Sequence, residues 1–256
     1  MVRLKSDDEI KTLEQGGQVL AHILDAIEAA VKPGISTWEL NEKAEDFILK
    51  SKAEPSFKNY NMGKGIFYPA SLCTSINSVI VHGVPKREEV LKPGDIVGID
   101  LGLKWNGLYV DSARTIGVGD ISELAQRLIK ITKECLEQAI GMLRIGGKLG
   151  DLGAKVESLA KENGFSVIRD LVGHGVGHKV HEEPKIPNFG LPGTGETIVS
   201  GMVLAIEPMI STGGYKLKHS KDGFGCELAD GSLGAHFEHT VAITQDGAII
   251  LTKCDT

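Results

Sequence analysis

The feature that most constrains this chain is a repeat. Two helical stretches followed by strands occur twice in the same order, and the residues echo each other. "GISTWELNEKAE" from Gly34 resembles "GGKLGDLGAKVE" from Gly146, with Leu40/Leu152, Lys43/Lys155 and Glu45/Glu157 in step. "VHGVP" (Val81–Pro85) echoes "GHGVG" (Gly173–Gly177), and "GDIVGID" (Gly94–Asp100) echoes "GMVLAIE" (Gly201–Glu207). "VDSARTI" (Val110–Ile116) matches "FEHTVAI" (Phe237–Ile243). Four echoes in one order predict an internal duplication and a pseudo-twofold fold, with halves near 1–120 and 121–256. The repeat aligns Asp100 with Glu207 and Asp111 with Glu238, so each half sends two carboxylates from strands toward one centre.

The elements can be read locally. Ser6 with Glu9 and Ser36 with Glu39 have capping-box spacing. Apolar Ile10, Leu13, Leu20, Ile23, Leu24 and Ile27 follow the first cap at helical period. Lys32-Pro33-Gly34 ends that helix, and the second runs to about Lys52. Further helices are expected over Ser122–Leu143 and Leu149–Asn163. Strands are expected over Leu72–Ile76, Val79–His82, Asp95–Leu103, Leu108–Ile116, Phe165–Leu171, Met202–Ile206, Phe237–Thr244 and Ala248–Thr252. Pro55 to Pro69 reads as loop.

Asn106-Gly107 has the chemistry of a two-residue type I′ hairpin turn. That register pairs Trp105 with Leu108 and Gly102 with Asp111, and parity places Asp100 on the same face as Asp111. The two aspartates become diagonal neighbours, with backbones roughly 7–8 Å apart. Adjacent buried carboxylates repel and are desolvated, so they need protons, a basic partner or a metal. The strands offer no lysine or arginine beside Asp100, and Arg114 is the nearest cation to Asp111. Adding Glu207 and Glu238 gives four carboxylates, a charge two divalent cations balance. "GHGVGHKVHEEP" (Gly173–Pro184) supplies imidazoles at His174, His178 and His181, flanked by glycines that favour a site over a helix face. Oxygen-rich ligands with an imidazole suit Mn, Fe, Co or Zn. Taken singly, a buried aspartate is usually a capped or salt-bridged residue and a lone histidine a surface or core one. The repeated set is what points to a metal centre.

Several classes are excluded or disfavoured. The net charge of −6 makes general binding to a phosphate backbone, DNA included, a poor fit. The N-terminus lacks the apolar stretch of a signal peptide, and no run is long enough to span a bilayer. Cys73, Cys135, Cys226 and Cys254 form no CxxC pair, which reads as a cytoplasmic protein with reduced thiols.

"HGVP" (His82–Pro85), "GDIVGIDLG" (Gly94–Gly102), "GHGVGHKVHEEP", "IEPM" (Ile206–Met209) and "FEHT" (Phe237–Thr240) together resemble the type I methionine aminopeptidases, from "VKPGIST" at Val31 to the last strand. The resemblance implies an α+β pita-bread fold: one peptidase domain of two pseudosymmetric αβ halves, with a curved antiparallel sheet flanked by helices. It implies two divalent ions (Co, Mn, Fe or Zn) held by Asp100, Asp111, His174, Glu207 and Glu238, with Asp111 and Glu238 bridging. It implies removal of N-terminal methionine from nascent chains whose second residue is small. Glu207 then serves as proton shuttle, His181 as oxyanion donor and His82 as a hydrogen-bonding partner of the peptide. Tyr68, Cys73 and Phe224 match positions of the methionine pocket. Val180 stands where several relatives carry phenylalanine.

The spacing of the second carboxylate pair departs from the first by 20 residues (31 against 11), in a segment holding "GGYKLKHSKDGFGC". Its Lys216, Lys218 and Lys221 read most plainly as a solvated loop, and alternatively as a weak contact with ribosomal RNA. A monomer is expected, because no coiled coil or long apolar edge is evident. Two other readings use the same fold. Proline-specific peptidases usually carry an additional N-terminal domain, for which this chain leaves no room. Non-catalytic relatives typically lose metal ligands, and all five are present here.

Overall fold

Ser6 and Ser36 each open a helix by reciprocal capping. In α1 (Asp7–Ala30) the Glu9 amide donates to Ser6 Oγ, and the Glu9 carboxylate accepts the Ser6 amide at 2.9 Å. In α2 (Thr37–Lys50) the Ser36 amide donates to Glu39 at 2.9 Å in the same way. Two more helices follow, α3 (Glu123–Gly141), capped by Ser122, and α4 (Leu149–Glu162). All four lie within a few residues of where periodicity and caps put them. These features come from a computed structural model that describes residues 2–63 and 65–254.

The hairpin that carries the aspartates is formed as expected. Strands Ile96–Trp105 and Leu108–Gly117 pair antiparallel, with Trp105 opposite Leu108 and Gly102 opposite Asp111. Asn106 and Gly107 have φ of +47° and +89°, as a type I′ turn requires. Leu72–Ile76 pairs with the other edge of Ile96–Trp105, placing Cys73 opposite Asp100, and Glu54–Pro55 also pairs with that strand. The second half builds a five-stranded antiparallel sheet, ordered Glu182–Pro187, Val172–Gly175, Val203–Ile206, His239–Thr244 and Gly247–Ile250.

The halves are sewn together beside the carboxylates. The Glu238 amide donates to the Ala113 carbonyl at 2.9 Å, and Ser112 Oγ donates to the Glu238 carbonyl at 2.7 Å. The Thr240 hydroxyl accepts the Asp111 amide at 3.0 Å and donates to the Asp111 carbonyl at 2.8 Å. Asp111 and Glu238 are thus fixed relative to one another through backbone. Helices α1 and α2 pack on the first sheet around Leu24, Ile27, Leu40, Ile99 and Leu101. Helices α3 and α4 pack on the second around Leu128, Leu136, Val156, Leu204 and Val241. This is the pita-bread arrangement, two αβ halves with helices outside and carboxylates on the inner faces.

The structure differs from the sequence expectation in several places, among them the unexpected strands Glu182–Pro187 and Met209–Ser211. The 55–69 segment contains a small hairpin, Asn61–Gly63 with Ile66–Phe67. The strand expected over Phe165–Leu171 is reduced to Ser166–Val167, and a separate strand, Val172–Gly175, follows it. The 20-residue insertion forms a hairpin, Leu217–His219 with Cys226–Leu228, and its second strand pairs with Val79–Val81. The second half thereby reaches across to the strand preceding His82. Among the described residues, no helix is long and apolar enough to cross a membrane.

Candidate metal centre and substrate cavity

Asp100, Asp111, His174, Glu207 and Glu238 converge on one cavity of about 230 Å³. All five are buried, Glu238 most completely at 2% exposure. Asp111, His174 and Glu238 each offer a ligand atom within 4.8 Å of the others. Among the described residues, the cavity wall contains no lysine or arginine. Burial first, and mutual repulsion second, push Asp100, Glu207 and Glu238 well above the usual carboxylate range. Burial lifts Asp111 to about 7, even though the Ser112 amide and the Asp100 side chain pull it down.

These residues fit divalent cations. Buried oxygens of Asp100, Asp111 and Glu238 lack any hydrogen-bond partner, a costly state for acceptors unless something else satisfies them. The imidazole is prepared in the same sense. His174 Nδ1 lies 2.9 Å from the Gly175 carbonyl, so that nitrogen carries the proton and Nε2 presents its lone pair. Burial holds His174 near a pKa of about 3, a neutral ligand-type ring. Its Nε2 is 3.3 Å from Glu207 Oε1.

His82 and His181 border the same cavity. His82 has φ +60°, a conformation uncommon outside glycine, and burial lowers its pKa to about 4. His181 sits at the exposed rim, with its ring centroid 4.5 Å from that of His174. Tyr60 Oη lies 2.8 Å from His181 Nδ1. With the phenol donating, the His181 proton resides on Nε2.

Tyr68 and Cys73 form part of the cavity wall, and the Tyr68 hydroxyl is pinned by donating to the Gly83 carbonyl at 2.8 Å. Phe224 does not face the cavity directly. It packs edge-on against Tyr68, with centroids 5.8 Å apart, and so backs the wall. Val180 belongs to the same apolar cluster with Phe57 and Tyr68. His178, grouped by sequence with His174 and His181, turns away and meets Glu9 of α1 at 2.7 Å. Lys218 in the insertion hairpin pairs with Glu227 at 3.6 Å.

Sequence reasoning missed Tyr60, Met62, Met209 and His236, all in the cavity wall. His236 is buried at 4% exposure beside Glu207 and Glu238. It lies two residues before Glu238, and that i, i+2 spacing was the available signal.

An α+β pita-bread scaffold whose two halves pool buried carboxylates and imidazoles defines the class of metal-dependent hydrolases. Residues 11–245 match the model of metallopeptidase family M24. A methionine aminopeptidase of Clostridium perfringens is 47% identical over 253 residues, covering 98% of this chain and 99% of that one. Methionine aminopeptidase 1 of Bacillus subtilis is 42% identical over 99% of this chain and all of that one. The crystal structure of a methionine aminopeptidase from Thermotoga maritima superposes with a TM-score of 0.95 at 42% identity, covering 99% of this chain and 100% of that one. A Xaa-Pro dipeptidase from Bacillus anthracis shares the fold alone, with a TM-score of 0.78 at 23% identity over 99% of this chain and 62% of that one. The chain belongs to metallopeptidase family M24, in its methionine aminopeptidase branch.

Proposed function

We propose that this protein hydrolyses the N-terminal methionine from peptides and nascent proteins whose second residue is small, as a divalent-metal-dependent aminopeptidase. The observation that carries the reading is a cavity wall that, among the described residues, holds four buried carboxylates and His174 but no lysine or arginine, in a chain matching methionine aminopeptidases over nearly its whole length. Asp100, Asp111, His174, Glu207 and Glu238 would hold two divalent ions between them. Donor chemistry leaves Mn, Fe, Co and Zn open. The two halves, near 1–120 and 121–256, act as one peptidase domain, which works in the cytoplasm as a monomer.

When bound, divalent ions balance the carboxylate charge, polarise the scissile carbonyl and lower the pKa of the attacking water. The chain's own residues do the rest. Glu207 takes the proton of the attacking water and passes it to the leaving nitrogen. His181 donates Nε2–H to the oxygen that gains charge, its tautomer set by Tyr60. His82 hydrogen-bonds the peptide beyond the cut. Tyr68 and Cys73, with Phe224 behind, receive the methionine side chain, where sulfur meets an aromatic ring favourably. Exopeptidase action follows because only a free terminal amine can reach the carboxylate-lined end. The lysines at 216, 218 and 221 lie in the insertion and could make at most a salt-sensitive contact with ribosomal RNA.

The test is kcat/KM over a Met-Xaa-Gly series, with Leu-Xaa-Gly and acetylated controls. Met-Gly should exceed Met-Trp by about 10²-fold, since a bulky second residue displaces the reacting bond. Acetylated peptides should not be cleaved. Equal rates for Met-Gly and Met-Trp, or comparable cleavage of acetylated peptide, refute the reading. Faster turnover of Xaa-Pro peptides would transfer the assignment to the proline-specific branch.

A further inference from the structure

The sixth group in the metal cavity is His236, which the family resemblance does not assign. Its Nε2 lies 3.3 Å from Glu207 Oε2 and 3.9 Å from Glu238 Oε2. One ligand atom each of Glu207, His236 and Glu238 falls within 4.8 Å of the others, a second triad beside that of Asp111, His174 and Glu238. Nε2 has no hydrogen-bond partner despite full burial, so its approach to Glu207 does not have hydrogen-bond geometry. The backbone allows little rearrangement. The His236 amide donates to Thr115 Oγ1 at 2.9 Å, and the same hydroxyl donates back to the His236 carbonyl at 2.9 Å. Met209, two residues after Glu207, pairs with His236 across the strands.

Glu207 is therefore flanked on both oxygens. His174 Nε2 stands 3.3 Å from Oε1, and His236 Nε2 stands 3.3 Å from Oε2. We propose that His236 is a sixth protein ligand, giving the ion on the Glu207 side two imidazoles while the Asp100 side remains all-oxygen. The inference rests on the metal-centre reading above. Two nitrogens with carboxylate oxygens favour Co, Zn or Fe over Mn, and an all-oxygen site favours harder ions. The two positions are thus unequal, and the nitrogen-rich one fills first with a borderline-soft metal.

The experiment is calorimetric titration of metal-free protein with Co²⁺, followed in parallel by visible absorption, for wild type, His236→Gln and His174→Ala. For His236→Gln the first equivalent should bind at least about tenfold more weakly with an altered spectrum. The second equivalent should shift less than about twofold, as expected for a site with no shared nitrogen. Unchanged affinity and spectrum for the first equivalent would overturn the assignment, even if turnover fell. If His174→Ala also leaves the first equivalent unchanged, the metal-centre reading itself fails. Should His236→Gln not fold, X-ray absorption of wild type carrying one Co²⁺ decides: two coordinated imidazoles support the proposal, and one refutes it.

Discussion

At the scale of single residues, the decisive arrangement is Tyr60–His181. A histidine at a cavity rim can present either nitrogen; the Tyr60 hydroxyl engages Nδ1 at 2.8 Å, and with the phenol donating, Nε2–H is left as the donor. Removing that donor should cost on the order of 10²–10³ in kcat. His181→Ala is expected to show this loss with bound metal unchanged by elemental analysis; parallel loss of metal would make His181 a ligand instead. Tyr60→Phe keeps the ring and removes the orienting hydrogen bond, so kcat should fall by roughly five- to tenfold, the worth of about one hydrogen bond. The aspartates of this site were legible in the sequence because strand parity and an Asn-Gly turn fix which face they share. Tyr60 was not, since nothing local marks a residue whose partner lies 121 positions away. His236 had only its i, i+2 spacing from Glu238, a weak signal because the strand breaks between them.

At the scale of elements, the loop bearing His181 is tied to the start of α1. Lys5 Nζ, buried to 1% exposure, meets Glu182 Oε2 at 2.7 Å, and Glu182 Oε1 accepts the Lys179 amide at 2.8 Å. His178 links the same loop to Glu9 at 2.7 Å. Gly177 has φ +140°, and a Cβ there would strike the Lys5 side chain. Burial alone would raise the Glu182 pKa, but the Lys5 ammonium together with the Lys179 and His178 amides outweighs it and holds the carboxylate below its usual range. Lys5→Met leaves that carboxylate buried and unpaired, which typically costs about 3–5 kcal/mol. Urea unfolding should show the loss, and adding Glu182→Gln should recover part of it; an unchanged midpoint in Lys5→Met contradicts the account. The helices were readable because caps and apolar period are local signals. The Leu217–His219 and Cys226–Leu228 hairpin was not, because a short exposed strand such as Leu217–His219 carries no clear alternation, and the hairpin depends on the pairing of Cys226–Leu228 with Val79–Val81.

At the scale of the whole molecule, the two halves press four like charges into one seam, so stability and metal occupancy are linked. In the metal-free state the cavity carboxylates hold their protons to higher pH than they would unfolded, Asp111 to about 7. Between an ordinary carboxylate pKa of about 4 and the raised values, the folded state binds more protons than the unfolded one, so stability falls as pH rises. The carboxylate contribution is complete below about pH 4, and the share of Asp111 is lost as pH climbs through about 7. Divalent ions reverse the sign, because they bind the deprotonated carboxylates and only in the folded protein. The buried neutral His82, His174, His236 and His239 act the opposite way to the carboxylates below about pH 6.5, because they take up protons only on unfolding. Above that pH the carboxylates act alone, so thermal midpoints of chelated protein should decline from about pH 6.5 to about pH 7.5, while those of metal-loaded protein rise or hold across that window. Asp111→Asn removes one of the repelling charges that also binds metal. It should flatten the decline in the chelated protein and weaken the gain from metal, with severe loss of turnover. A chelated wild type whose midpoint rises with pH through this window would show that the carboxylates are neutralised by something other than metal, and the charge argument for the centre would fall.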